Sequence, residues 1–119
     1  MKLLHFCLIL LLPGFLTAQK TSVFTEKTAE FERGLDLYDQ GIYGAAFSAF
    51  EHSSKIDDAN NDPKVTLLTA KSKLMMGKSS VRIGKPDAEM VMLTYFRQNQ
   101  PDALAYEAVM DLGNYYYSR

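Results

Sequence analysis

Apolar side chains recur along this 119-residue chain at the i, i+3, i+4, i+7 spacing that marks one face of a helix. The first predicted helix, 26–40, takes its apolar stripe from Phe31, Gly34, Leu35 and Tyr38. The second, 43–56, repeats the spacing with Tyr43, Ala46, Phe47 and Phe50. Gly41 can adopt the left-handed conformation that ends a helix, and the connection is very short. We therefore expect the two helices to be antiparallel neighbours.

Three more helices are predicted after the polar, turn-forming segment 57–62. Asp62 and Pro63 suit the N-cap and first position of a third helix, which Gly77 is predicted to end after Met76. The segment 77–85 is then expected to be a loop. Pro-Asp pairs at 86–87 and 101–102 open a fourth helix, ending near residue 98, and a fifth. No segment alternates with period two, so we expect an all-α domain without a sheet.

Residues 1–18 have the pattern of a secretory signal peptide. Lys2 supplies a positive charge, an apolar run covers 6–12, and Ala18 offers a small residue at the cleavage position. The apolar run is shorter than the ~20 residues that a membrane span needs. We therefore predict a removed signal over 1–18, a flexible lead-in over 19–25 and one domain over 26–119. The expected location is exported, either periplasmic or associated with the cell envelope.

Composition limits the classes of partner that the mature chain is expected to bind. The formal net charge of the whole chain is −1, which argues against nucleic acid because phosphate binding needs clustered lysine and arginine. Cys7, the single cysteine, lies inside the predicted signal, so disulfides and thiolate metal sites are excluded from the mature part. No segment after the signal is apolar enough to span a membrane.

Small residues and aromatics in the first two helices have distinct expected roles. Gly34 and Ala46 lack bulk, so the helices can approach closely where they cross. Gly41 makes the turn, while Tyr43 and Phe50 fill the space between this pair and the next. These residues resemble the tetratricopeptide repeat (TPR), a helix-turn-helix unit of about 34 residues that stacks into a solenoid.

The resemblance covers nearly all of the mature chain and implies about two and a half repeats. The units are 26–58, 63–98 with the segment 77–85 as an insertion, and 102–119, which lacks its second helix. Gly113 takes the place of Gly34 in the third unit. The layout looks like the N-terminal part of longer bacterial cell-envelope TPR proteins. Because a solenoid end needs a polar cap, the tyrosines at 115–117 suggest that the native chain continues or that a partner covers this end.

The resemblance implies a non-catalytic scaffold that binds a protein or peptide in a groove formed by the first helices of successive repeats. Carried over by position, the groove residues are Phe31, Leu35, Tyr38, Asp39, Leu67, Lys71, Leu74, Met110, Asn114 and Tyr117. The repeat-packing residues are Gly34, Gly41, Tyr43, Ala46, Phe50 and Gly113. Two alternatives stay open, an accessory part of a glycan- or nutrient-uptake protein and the sensor part of an envelope signalling protein.

The evidence for a catalytic, metal or nucleotide site elsewhere in the sequence is weak. Gly77-Lys78-Ser79 has the ending of a phosphate-binding loop, but Ser72 occupies the position of the required glycine, so a solvated hairpin loop is the better interpretation. His52 has no second histidine in the mature chain and is expected on the outer face of the second helix. The acidic segment 57–62 lacks the glycine and glutamate of a calcium loop. We therefore predict no catalytic residues, cofactor or metal, and favour a core position for the methionines.

Overall fold

The computed structural model describes residues 23–56 and 61–118, and every regular element in these ranges is a helix. Helix α1 is described over residues 23–39. The others are α2 (Tyr43–Lys55), α3 (Pro63–Ile83), α4 (Ala88–Asn99) and α5 (Ala103–Tyr117). The predicted all-α fold is confirmed, since the described residues contain no strand. The predicted signal peptide and residues 57–60 lie outside the described residues.

Helices α1 and α2 form a closely packed antiparallel pair, as predicted. Gly41 makes the turn with a φ of 77°. The rings of Tyr38 and Tyr43 lie 5.1 Å apart beside this turn, and those of Phe31 and Phe50 lie 5.6 Å apart further along. Phe50 is fully buried and lies against Gly34, where the ring occupies the space that a larger residue would need. The predicted flexible lead-in is wrong for residues 23–25, which belong to the described part of α1.

A buried polar network joins α1, α2 and α3. The ammonium group of Lys27 donates to the backbone carbonyls of Ser53 and Ile56, the latter at 2.9 Å. The Ser53 hydroxyl donates to the carbonyl of Lys27 at 3.1 Å and lies 2.9 Å from the Ser72 hydroxyl on α3. Lys27 thus places a positive charge where the last carbonyls of α2 lack helical partners, which the helix dipole favours.

The predicted end of α3 at Gly77 is wrong, because the helix continues to Ile83 and ends at Gly84. Gly84 has a φ of 81°, and its N–H donates to the carbonyls of Ser80 and Val81. Gly77 is instead buried in the middle of the helix, facing Met92 on α4. The predicted insertion 77–85 is therefore absent, and a short turn over 84–87 joins α3 to α4.

α3 lies at the centre and packs against α2, α4 and α5. Its contacts with the last two helices form a core cluster that contains Leu74, Val81, Ala88, Met92, Ala108 and Leu112. The predicted acidic cap of α3 is confirmed, since Asp62 accepts from the N–H of Lys64 at 2.9 Å. Asp102 caps α5 in the same way, accepting from the N–H of Leu104 at 2.9 Å, whereas Asp87 makes no such bond at the start of α4. Within the described part of the chain, no helix has the length and apolar character to cross a membrane.

Candidate functional site

Arg82, in the last turn of α3, connects α3 to α5 through a pair of parallel hydrogen bonds. Its guanidinium donates to both carboxylate oxygens of Asp111, at 2.8 and 2.9 Å, and also to the carbonyl of Lys78 at 3.0 Å. One turn earlier, Lys78 pairs with Glu107 at 2.5 Å. Because the two ion pairs keep the same order along both helices, α3 and α5 run parallel.

Two tyrosines place α1 and α5 against the same guanidinium. The Arg82 Cζ atom lies 5.2 Å from the ring centroid of Tyr38 on α1 and 5.4 Å from that of Tyr115 on α5. Both distances allow a cation–π attraction. Tyr38, Arg82, Asp111 and Tyr115 are called the arginine junction below. The first helix of each predicted repeat contributes to it, so this cluster connects the three helices.

Burial and charge shift the ionisation of two groups in the arginine junction. Burial alone would lower the pKa of Arg82, but the hydrogen bonds and charge of Asp111 outweigh it and hold the pKa above its usual value. Burial raises the pKa of Tyr38 to about 12, and the nearby Arg82 offsets this only in part. The Tyr38 hydroxyl therefore stays neutral and Arg82 stays charged at physiological pH.

The shifted Tyr38 gives a testable pH dependence. A tyrosine in the unfolded chain ionises near pH ~10, whereas Tyr38 in the folded chain ionises with a pKa of about 12. Its contribution to stability should be complete below the lower value and lost as the pH rises through the higher one. An ultraviolet titration of tyrosinate should show a late component that Tyr38→Phe removes. The exposed Tyr117→Phe is the control and should leave that late component in place.

A concavity of about 620 Å³ lies beside the arginine junction. Its walls come from α2, α3 and the end of α5, and its lining residues are Tyr43, Arg82, Asn114, Tyr115 and Ser118. The hydroxyl and amide groups among them can donate and accept hydrogen bonds. Since Arg82 is already paired with Asp111, the surface is polar and aromatic with no net charge. Such a lining suits the backbone amides of a peptide better than a strongly charged ligand.

A second, more apolar groove of about 480 Å³ lies where α2, α3 and α4 meet. Phe47, Met76, Met90 and Val91 are among its apolar lining residues. The expectation that all the methionines are core is thereby corrected. Met92 is buried and Met75 and Met76 are half-buried, but Met90 and Met110 are exposed because their helix positions face away from neighbouring helices. Flexible, exposed methionines are typical of adaptable binding surfaces.

Comparison with known proteins finds no matching family model, curated protein or solved structure. Within the described residues, however, one packing contact occurs twice. In both complete helix pairs a buried glycine of the first helix faces a large apolar side chain of the second. The pairs are Gly34 with Phe50 and Gly77 with Met92.

The predicted groove residues are distributed over three environments. Tyr38 and Asn114 lie at the arginine junction and its concavity. Phe31 packs within the α1–α2 pair, and Leu74 is buried in the core cluster. The others line the outer surface of the first helices, half-buried for Leu35 and exposed for Asp39, Leu67, Lys71, Met110 and Tyr117.

The predicted packing residues Tyr43, Ala46 and Phe50 lie in the α1–α2 pair, and Ala46 and Phe50 are fully buried. Gly113 is different, because it is exposed and a Cβ atom built on it would meet no described atom within 4 Å. Gly77-Lys78-Ser79, predicted as a hairpin loop, is helical. His52 is exposed as predicted, with its Nδ1 3.3 Å from a carboxylate oxygen of Glu30.

Sequence reasoning missed Arg82 and Asp111. Arg82 fell in the segment expected to be a loop, so no partner on another helix could be assigned to it. A signal was present, because Lys78–Glu107 and Arg82–Asp111 both pair opposite charges separated by 29 positions. Two such pairs, one turn apart on each helix, indicate parallel neighbouring helices.

Proposed function

We propose that the chain is a TPR-like solenoid of about two and a half repeats that acts as a non-catalytic binding scaffold. The observation that carries this proposal is the repeated contact of Gly34 with Phe50 and of Gly77 with Met92. In each pair a buried alanine precedes the large side chain by four residues, Ala46 in α2 and Ala88 in α4. One mode of helix pairing is thus used twice along the chain.

The proposed ligand is a segment of a protein or peptide in the bacterial cell envelope, consistent with the predicted signal at 1–18. The concavity at the arginine junction favours this class of ligand. Asn114, Ser118 and Tyr43 offer hydrogen-bonding groups that match a peptide backbone, and Tyr115 offers a ring face. Because Asp111 neutralises Arg82, binding should depend only weakly on salt.

Selection from a library of unstructured peptides, followed by nuclear magnetic resonance mapping on the labelled protein, tests the proposal. Selected peptides should shift the signals of Arg82, Asn114 and Tyr115. Asn114→Ala should weaken binding by about tenfold if its amide pairs with the peptide backbone. Thr94→Ala, in the apolar groove on α4, is the matched control and should bind peptide normally.

Peptides that shift only the α4 groove, or a library that yields no binder, would contradict the proposal. An accessory role in glycan uptake is the second candidate, because Tyr117 presents an almost fully exposed ring. The same mapping with a mixture of oligosaccharides separates the two. Stacking of sugars on Tyr117 without peptide binding would favour the second candidate.

A further inference from the structure

The face of α1 that packs on α2 is defined by residues at i, i+4, i+7 and i+11, namely Lys27, Phe31, Gly34 and Tyr38. Each of them contacts α2. Lys27 bonds its last turn, Phe31 and Gly34 contact Phe50, and Tyr38 packs on Tyr43. These contacts extend along the whole antiparallel pair, and Gly34 lies at the point of closest approach.

The same spacing recurs on α3, where Ala70, Leu74, Gly77 and Val81 face α4. The carbonyl of Ala70 accepts a hydrogen bond from the Tyr95 hydroxyl at 3.0 Å. Leu74 and Val81 belong to the core cluster with Ala88 and Met92. Gly77 again marks the close approach, here to the Met92 sulfur. Two helices of the chain thus use one pattern to bind an antiparallel neighbour.

α5 carries the third copy of this pattern, Tyr106, Met110, Gly113 and Tyr117, called the α5 stripe below. Tyr106 is 51% exposed, Met110 64% and Tyr117 96%. The ring of Tyr106 contacts Phe96 on α4, and no described residue contacts the position where Phe50 and Met92 lie in the earlier pairs. Among residues 23–56 and 61–118, the face that binds a helix in α1 and α3 is therefore uncovered in α5.

Charge is absent from the α5 stripe. The acidic residues of α5 on the neighbouring face, Glu107 and Asp111, pair with Lys78 and Arg82 of α3. An apolar helix could therefore approach the stripe without removing water from an unpaired charge. The stripe has the register by which α1 and α3 bind α2 and α4, so a helix could pack on it in the same way.

We propose that the α5 stripe is a docking surface for an amphipathic helix of a partner protein. The helix lies antiparallel to α5 and places a large apolar side chain against Gly113. By analogy with α2 and α4, the partner helix carries a small residue followed four positions later by phenylalanine, methionine or a residue of similar size. The stripe is separate from the concavity at the arginine junction, so either surface can fail its test without affecting the other.

A synthetic peptide with the sequence of α2, Tyr43–Lys55, is the probe. Added to the isotope-labelled chain, it should give saturable shifts at Tyr106, Met110, Gly113 and Tyr117. Gly113→Leu in the chain should weaken binding by about tenfold. Phe50→Ala in the peptide should also weaken binding by about tenfold. Gly44→Leu is the matched control, since it adds the same side chain to an exposed helical glycine on α2, where a Cβ atom also meets no described atom within 4 Å. It should alter binding less than about twofold.

Met110→Glu provides a second variant that does not depend on a glycine, and it should also weaken binding by about tenfold. Circular dichroism verifies that each variant stays folded. Shifts confined to α1, equal binding by Gly113→Leu and Gly44→Leu, or no binding at all would each overturn the proposal. A dimer of the chain that excludes the peptide and that Gly113→Leu dissociates would also overturn it, because the occupant would then be a second copy.

Discussion

Replacing Gly34 with alanine should lower the free energy of unfolding by about 1–3 kcal/mol, the usual range for overpacking a core. The new Cβ atom would lie 2.6 to 2.9 Å from three ring atoms of Phe50. That ring is rigid and fully buried, so it has no room to move aside. The penalty should exceed the gain of about 1 kcal/mol that alanine brings to a helix interior.

Gly77 on α3 and Gly113 on α5 have the position of Gly34 in their own helices. Their substitution should change stability differently, so both serve as matched controls. A Cβ atom on Gly77 would overlap the sulfur of Met92, so this buried side chain must change its conformation. Because methionine is flexible, Gly77→Ala should cost less than Gly34→Ala. Gly113 faces open space, so Gly113→Ala should raise the free energy of unfolding by up to about 1 kcal/mol.

Denaturant unfolding of the three variants measures this series. From the highest to the lowest free energy of unfolding, the expected order is Gly113→Ala, Gly77→Ala and Gly34→Ala. Equal losses at Gly34 and Gly113 would show that the close approach of α1 and α2 does not determine the stability of this pair.

Arg82→Met should lower the free energy of unfolding by about 2 kcal/mol. The side chains of Arg82 and Asp111 are only 19% and 14% exposed, so removing the guanidinium leaves a poorly hydrated carboxylate without its partner. Fully buried pairs lose about 3–5 kcal/mol in this way, and the partial exposure reduces the loss. The variant also removes the cation that Tyr38 and Tyr115 stack against.

Glu51→Gln is the control for this prediction. The side chains of Glu51 and Lys55 are 41% and 71% exposed, so breaking their pair on α2 should cost less than about 1 kcal/mol. In a double-mutant cycle, Arg82→Met and Asp111→Leu should show a coupling energy of at least about 1 kcal/mol. Additive effects of the two changes would mean that the arginine junction does not connect α3 to α5.

The features that sequence predicted well depend on local chemistry. Gly41 supplied a left-handed turn, and Asp62 and Asp102 supplied caps, and each of these acts on residues within a few positions. Apolar spacing then located all five helices. None of these signals needs a distant partner.

The features that sequence predicted poorly depend on distant contacts. The conformational freedom of Gly77 made it a credible helix end, but packing against Met92 keeps it inside α3. Leu74, which the resemblance places in the groove by position, is buried in the core cluster, whereas Lys71 is exposed. Arg82 connects helices only through its contacts with α1 and α5. The residues near Arg82 in the sequence do not reveal those contacts.

A nuclear Overhauser spectrum of the labelled chain tests the repeated helix pairing most directly. The account predicts cross-peaks from the Gly34 Hα protons to the Phe50 ring and from the Gly77 Hα protons to the Met92 side chain. It predicts no cross-peak from Gly113 to another helix of the described residues. Missing cross-peaks at Gly34 and Gly77 in the folded chain would contradict the account.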